Sequence, residues 1–268
     1  MRGLRWCGVA LVWVVLGVAA NAQAGEWLVS QHGKQVGTAR ATVTRAGSGF
    51  TATAVVNVEM QGLKYALSKT EELTTQRGLE NVELSAVVNG QAVRVTAKPE
   101  AGQLALTMAA NGRTTAAKLP LHVGAVLLPD FDGGAWETLL AVAAAKNNRD
   151  VWAVIPKQAG SVEAVTLATY ADEKGTLDGK AIAVRHLVAT IAGAQTELFV
   201  GPGDELLQAE LAQDGFALVR KGFVLTPPAR ALHAADTRHC VQPLLAARSA
   251  LRAARSSLAG PLVIEREV

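Results

Sequence analysis

The sequence contains few cysteines, which limits how the fold can be stabilised. Cys7 and Cys240 are the two present in 268 residues, and Cys7 lies in an apolar N-terminal segment that we expect to be cleaved. Cys240 would then be alone, so no disulfide can form within the mature chain, even in an oxidising compartment. Stability must therefore come from a buried core, and the chain is long enough to form a sizeable one.

The sequence also has few aromatic residues and a small net charge. Phe, Trp and Tyr make up 4% of the residues, and the formal net charge is +3. Arg2 and Arg5 contribute two of these positive charges and residues 1–24 contain no acidic residue, so the mature chain carries +1. So small a charge gives no electrostatic basis for binding a polyanion, and we predict no nucleic-acid partner.

Residues 1–24 have the pattern of an export signal. A short basic region precedes an uncharged run from Trp6 to Ala20, and the small residues Ala22 and Ala24 occupy the two positions that a signal peptidase reads. The run is at the short end of what spans a hydrocarbon core of about 30 Å, which leaves an uncleaved inner-membrane anchor as the alternative. We predict a periplasmic or secreted bacterial envelope protein whose mature chain starts at Gly25.

From Glu26 to Leu119 the sequence alternates with period two. In the segment FTATAVVNVEM, the apolar residues Val56, Val58 and Met60 fall on one face and polar residues fall on the other. Successive side chains of a strand point to opposite faces of the sheet. The pattern therefore predicts an antiparallel sheet with one buried side and one solvent-facing side.

The strand pattern resumes after the middle of the chain. Further strands are predicted near residues 150–156, 162–172, 180–191, 194–201, 204–211 and 215–225. Together, about fourteen strands predict an all-β-dominated fold, a large curved antiparallel meander that forms a half-barrel or open barrel over residues 25–226. Small and β-branched residues on its concave face would leave space for a cavity, or for a helix packed into the concavity.

One short helical insert is predicted at about residues 133–147, where apolar residues recur at helical spacing. An isolated helix of this length is marginal in water, so it must dock on another surface, and the open side of the curved sheet is the natural place. We expect the helix to act as the plug or lid of a cavity there. The predicted ligand-binding side chains are Trp136, Leu139, Leu140, Val56, Val58 and Met60.

The segment DFDGG precedes this helix. Asp132 is placed to cap the helix, Gly133-Gly134 let the chain turn, and Glu137 suits the positive end of the helix dipole. A metal bound by Asp130 and Asp132 is the alternative. A calcium loop, however, needs further oxygen ligands at regular steps, so the sequence favours the structural interpretation and predicts no metal site.

Residues that could carry catalysis are sparse. The chain has no G-x-S-x-G motif, and the glycine-rich residues 197–211 lack the Lys and Ser/Thr of a phosphate-binding loop. His186 falls within a predicted strand, and His233, His239 and Cys240 lack a fourth ligand at metal-site spacing. We predict no catalytic residue and no cofactor, and a hydrolase acting through His186 or a metal-dependent enzyme ranks last among the alternatives.

Residues 227–268 form a distinct C-terminal segment. The alternation ends after Pro227-Pro228, and residues 229–241 have an irregular pattern. Residues 242–258 have the pattern of an amphipathic helix with three arginines along one side. Such a helix can lie on an anionic membrane surface or contact an envelope protein. A helix docked on the sheet, or a tail, is the alternative.

The order of parts resembles a kind of exported bacterial protein. A signal is followed by a long meander, a helical insert and further strands that end in a G-x-G-D-E-L-L hairpin at residues 201–207. The chain resembles uncharacterised periplasmic β half-barrel proteins, which are similar in architecture to the lipoprotein-localisation carriers. Over about residues 26–226, this resemblance implies a curved sheet around an apolar cavity that is partly closed by helices, and it implies no catalytic residues.

The leading functional hypothesis is therefore an exported binding or carrier module. It would hold a lipid or other apolar ligand in the concavity of the curved sheet. The second hypothesis is a non-catalytic envelope scaffold or protein-interaction domain whose concavity is filled by its own helix.

Overall fold

A computed structural model describes residues 23–157, 160–211 and 215–226 of the chain. The predictions for the export signal, apart from Gln23 and Ala24, and for residues 227–268 lie outside these residues. The described part is mostly strands in one large, curved sheet of 17 strands with a single helix. No helix in this part is long and apolar enough to cross a membrane.

The first eight strands form a meander in which each strand pairs antiparallel with the next. Positive φ angles at Asn89-Gly90 and Asn111-Gly112 place these pairs in tight turns. The strands are β1 (Gln23–Gln31), β2 (Lys34–Ala46), β3 (Gly49–Met60), β4 (Leu63–Leu73), β5 (Leu79–Val88), β6 (Gln91–Glu100), β7 (Gln103–Ala110) and β8 (Arg113–Pro120). The alternating half of the sequence therefore forms the predicted antiparallel sheet.

The middle of the chain forms a βαβ unit. Strand β9 (Ala125–Leu127) leads into helix α1 (Gly133–Ala145), and β10 (Trp152–Ile155) returns parallel to β9. This is the one parallel pair among the described strands, and α1 is its crossover connection. The helix lies where the sequence predicts it. The strand predicted near 150–156 is β10, but the parallel pair was not predicted, because β9 has only three residues and is too short to show a period.

The remaining strands are again antiparallel. They are β11 (Ser161–Thr169), β12 (Glu173–Leu177), β13 (Lys180–Ile191), β14 (Ala194–Val200), β15 (Leu206–Leu211), β16 (Phe216–Arg220) and β17 (Phe223–Thr226). The strand predicted at 215–225 is two strands, because Lys221-Gly222 forms a turn in which Gly222 has a φ of 82°. Strand β12 was not predicted from the sequence.

Strand β1 joins the two halves of the sheet. It pairs with β2 along one edge and with β16 along the other. From β16 the sheet continues through β15, β14 and β13. Strand β13 then divides, because its first half pairs with β12 and its second half pairs with β11. The result is a large open sheet, curved in the manner of a barrel.

Helix α1 fills the central part of the concavity. It contacts β1, β2, β3 and β15, and Trp136, Leu139 and Leu140 are buried in the same core as Val56 and Val58. Burying side chains of this size contributes about 1.5–3 kcal/mol each. The predicted docking of the helix into the sheet is therefore present, and it depends on apolar contacts from the middle of the helix.

The glycines of DFDGG permit close packing and do not form the turn. A Cβ atom on Gly133 would lie 2.5 Å from the indole of Trp27, and one on Gly134 would collide with the Cβ of Ala41. The left-handed backbone falls instead on Phe131, with a φ of 60°. The prediction that the two glycines let the chain turn is therefore wrong, since they allow the start of α1 to lie directly on β1 and β2.

Glu137 anchors the helix to the second half of the sheet. Its Oε1 accepts a hydrogen bond from Arg220 Nη1 at 2.9 Å and another from the backbone N–H of Leu206 at 3.2 Å. Its carboxylate is thus held by β15 and β16. The predicted place of Glu137 at the positive end of the helix dipole is wrong, because the first turn of α1 contains no acidic residue. Burial raises the pKa of Glu137 to about 6, although Arg220 opposes this shift.

This raised pKa predicts a pH-dependent difference between the wild type and Glu137→Gln. A carboxyl group whose pKa is higher in the folded state stabilises the fold below its unfolded pKa of 4.5 and loses that contribution as the pH rises through about 6. The free energy of unfolding of the wild type, minus that of the variant, should therefore fall by about 2 kcal/mol over this window. Urea denaturation across the pH range measures it, and a difference that stays flat or rises with pH contradicts the prediction.

Candidate functional site

An apolar pocket lies beside α1, on the concave side of the first half of the sheet. It has a volume of about 240 Å³. The wall formed by the sheet consists of inward-facing side chains from four consecutive strands, β4 to β7: Tyr65, Leu67, Leu84, Ala86, Val88, Val93, Val95 and Met108. The pocket therefore occupies the part of the concavity that the helix leaves open.

The mouth of the pocket is formed by the two loops that follow the parallel strands. Pro129 and Asp130 follow β9, and Pro156 and Lys157 follow β10. Parallel neighbours end at the same edge of a sheet, and ligands of open α/β sheets bind in the crevice outside such carboxyl ends. An ion pair of 2.8 Å joins Lys157 Nζ to Asp130 Oδ1 across the mouth, and both side chains are substantially exposed.

The loop that carries Asp130 is anchored by a buried ionic cluster. Asp132 Oδ1 accepts a hydrogen bond from the backbone N–H of Ala135 at 3.1 Å and so caps α1, as predicted. Its Oδ2 lies 2.7 Å from Lys69 Nζ, and Glu71 Oε2 lies 2.8 Å from the same nitrogen. The three side chains are only 1–2% exposed. We call Lys69, Glu71 and Asp132 the buried ionic triad.

Burial and charge act together in this region. Burial raises the pKa of Glu71 and outweighs the attraction of Lys69. Burial alone would lower the pKa of Lys69, but Asp132 and Glu71 outweigh it and raise this pKa. Burial, with smaller effects from Asp130 and Asp132, also raises the pKa of Tyr65. Tyr65 therefore presents a neutral hydroxyl to the pocket at physiological pH.

The geometry of DFDGG does not favour the metal-site alternative. Each aspartate is paired with a lysine ammonium, Asp130 with Lys157 and Asp132 with Lys69. A cation would have to displace both ammonium groups. Within the described ranges, no group of three or more His, Cys, Asp and Glu side chains is arranged to hold a metal ion. His233, His239 and Cys240 lie outside these ranges.

His186 lies in an aromatic environment. Its ring stacks on Phe199 with a centroid distance of 4.7 Å and lies 5.2 Å from the ring of Tyr170. Its Nε2 is 3.4 Å from Glu197 Oε2, without hydrogen-bond geometry. These contacts are typical of a packed histidine on a sheet, and they supply no group that His186 would activate.

The six predicted ligand-binding residues do not line the pocket. Five of them belong to the packed core, and Met60 is half-buried at the end of β3. Their role in binding a ligand stays a prediction. The residues that do line the pocket belong to β4–β7, where the sequence shows the same alternation as in β3. That alternation identifies the inward face, but it does not show which part of the face the helix covers.

A larger, shallower depression lies on the outward face of the same strands. It has a volume of about 780 Å³, and the outward-facing positions that line it include Ala66, Ser85, Ala92 and Ala109. Val55 and Val87 are nearly half exposed there. Small residues on adjacent strands therefore form a mostly apolar groove across the outside of the sheet.

Comparisons with known proteins give a similarity in structure. No protein-family model matches the sequence, and no curated protein matches it. The chain is similar to a solved structure described as a beta-barrel-like protein of Domain of Unknown Function DUF1849 from Brucella abortus. The TM-score is 0.48 and the sequence identity is 12%, over 77% of this chain and 98% of that chain.

Proposed function

We propose that this protein is an exported binding or carrier module that holds a small apolar ligand in the pocket between β4–β7 and the loops after β9 and β10. The observation that carries the proposal is an apolar volume of about 240 Å³ on the concave side of the sheet, lined by β4–β7, while α1 contacts β1, β2, β3, β9 and β15. The order of parts in the sequence, which resembles that of periplasmic β half-barrel proteins, and the export pattern expected of residues 1–24 support the same function.

The volume of the pocket limits the size of the ligand. An apolar cavity of about 150 Å³ binds benzene, and pockets for drug-sized ligands begin at about 300 Å³. A pocket of about 240 Å³ therefore accepts a ring or one short aliphatic chain, or the end of a longer chain. A lipid with several long chains would have to leave most of its apolar surface outside the pocket.

A titration with octanoate tests this proposal, because octanoate has one short chain and stays monomeric at useful concentrations. For so small a ligand we expect a dissociation constant of ~1 mM or tighter, which ligand-observed NMR detects. Ala86→Phe places a ring inside the pocket and should weaken binding at least tenfold. Ala66→Phe makes the same change on the outward face of the neighbouring strand β4, and it should leave binding unchanged.

The two variants also separate loss of the pocket from loss of the fold. Both should retain the circular dichroism spectrum and the thermal unfolding cooperativity of the wild type. If Ala86→Phe unfolds, Val93→Phe provides the same test from a half-buried position on β6. Equal binding by the wild type and a folded pocket-filled variant contradicts the proposal, as does a wild type that binds no eight-carbon chain, whatever its head group.

The outward groove favours a second candidate function, an envelope scaffold or protein-interaction domain. Its exposed Val55 and Val87 form an apolar surface that a partner would cover. Failure of the folded wild type to bind any eight-carbon chain, whatever its head group, would favour this function over the first.

A further inference from the structure

We propose that the mouth of the pocket is a head-group site selective for an anion, so that the ligand is an amphiphile with a short apolar tail and a carboxylate or similar anionic head. This inference rests on the proposed function, because it assigns the polar end of the ligand whose apolar end fills the pocket. It is based on three groups that line the pocket together: Lys157, Tyr65 and Asp130.

Lys157 can hold a second anion without losing its present partner. An ammonium has three N–H donors, and the ion pair with Asp130 occupies one of them. The side chain is 62% exposed, and its four-carbon stem lets the ammonium swing over the mouth. A carboxylate at the mouth would therefore meet ammonium donors that the described residues leave unused, on a long and exposed side chain.

Asp130, in contrast, is held in place by its neighbours in the chain. Asp132, two residues later, is fixed by the cap of α1 and by its 2.7 Å contact with Lys69. Phe131, between them, packs edge-on against Tyr65 and Phe216. A short side chain on an anchored loop has little freedom to follow a ligand. Asp130 therefore acts as the fixed carboxylate that orients Lys157 at the mouth.

Tyr65 adds a neutral hydrogen-bond donor beside the apolar wall. It lies on β4 next to Leu67 on the inward face, and its side chain lines the same pocket as the apolar side chains. Two of the three polar groups at the mouth are thus donors, and only Asp130 is purely an acceptor. This set fits an anionic head better than an ammonium head, which Lys157 would repel.

Three probes of equal chain length test the inference: octanoate, 1-octanol and octylammonium. In a pocket without head-group recognition, 1-octanol should bind more tightly than octanoate, because an ionised head is costly to remove from water. We expect the opposite order, with octanoate about fivefold tighter than 1-octanol and octylammonium weakest. Ligand-observed NMR competition at neutral pH and low salt measures all three.

Two exposed substitutions at the mouth make the assignment specific. Lys157→Gln should weaken the binding of octanoate much more than the binding of 1-octanol, and so abolish the preference for octanoate. Asp130→Asn should increase the affinity for octanoate, since it removes the fixed negative charge that repels the carboxylate head, while the amide oxygen can still accept from Lys157. If 1-octanol or octylammonium binds most tightly, the anionic head-group site is wrong while the proposed apolar pocket stands. If none of the three probes binds, the proposed function fails and this inference fails with it.

Discussion

Lys69→Met is expected to destabilise the protein by about 3–5 kcal/mol, the largest effect predicted for a single substitution in this chain. The change removes the only cation of the buried ionic triad and leaves Glu71 and Asp132, each 1% exposed, without a partner for their charge. The two carboxylates would repel each other as well as lose their solvation. Methionine is long enough to occupy the space of the lysine stem, so the cost comes from charge and not from a cavity.

The pH dependence of this variant follows from the same cause. Without Lys69, burial keeps the pKa of Glu71 above its ordinary value with nothing to oppose it, and Asp132 acts in the same direction. A carboxyl group with a raised pKa in the folded state loses its stabilising contribution as the pH rises. The destabilisation of Lys69→Met should therefore be smaller at acidic pH, where protonation neutralises the carboxylates, and greater at neutral pH.

The triple variant Lys69→Met, Glu71→Met, Asp132→Asn is the matched control. Replacing a buried ionic cluster by neutral groups of similar volume is often neutral or stabilising, and asparagine caps a helix about as well as aspartate. We expect the triple variant to unfold within about 1 kcal/mol of the wild type. Urea denaturation of the three proteins at two pH values measures this. A Lys69→Met variant as stable as the wild type would show that the triad is not held as an ionic cluster.

The buried ionic triad also shows what the sequence of this protein predicts and what it leaves out. The segment LKYALSKTEEL alternates so that Lys69 and Glu71 fall on the same face as the leucines. The sequence alone therefore indicates two charged residues on the inward face of β4. Their third partner, Asp132, lies in another part of the chain. The alternation within one strand does not predict which distant loop will pack against that strand.

The same limit applies to the pocket. The sequence predicts the curved sheet, the helix and its docking on the concave face, because each depends on a local period or a cap. Whether space remains beside the helix depends on which strands it covers. Helix α1 contacts β1, β2, β3, β9 and β15, and β4–β7 line the pocket. Which strands the helix covers is decided by tertiary contacts between ordinary apolar residues. No local pattern in the sequence indicates those contacts.

Gly134→Ala is expected to destabilise the protein by about 1–3 kcal/mol, although alanine is the better helix former by about 1 kcal/mol. Its new methyl group would collide with the Cβ of Ala41 on β2 and approach Asp132 Oδ1 to 3.3 Å. The helix start would have to move away from the sheet, and with it the loop that forms the mouth of the pocket. An equilibrium urea titration measures the change in the free energy of unfolding.

The double variant Ala41→Gly, Gly134→Ala moves this methyl group from the sheet to the helix, and it should recover most of the stability that Gly134→Ala loses. Ala41→Gly alone should cost about 1 kcal/mol through the flexibility of glycine in a strand. The double-mutant cycle should then give a favourable coupling of at least about 1 kcal/mol, since the two positions are in direct contact. Additive effects would contradict the close approach of α1 to β2. In that case the glycines of DFDGG would serve the turn after all, and the helix would not be held against the sheet at its first residues.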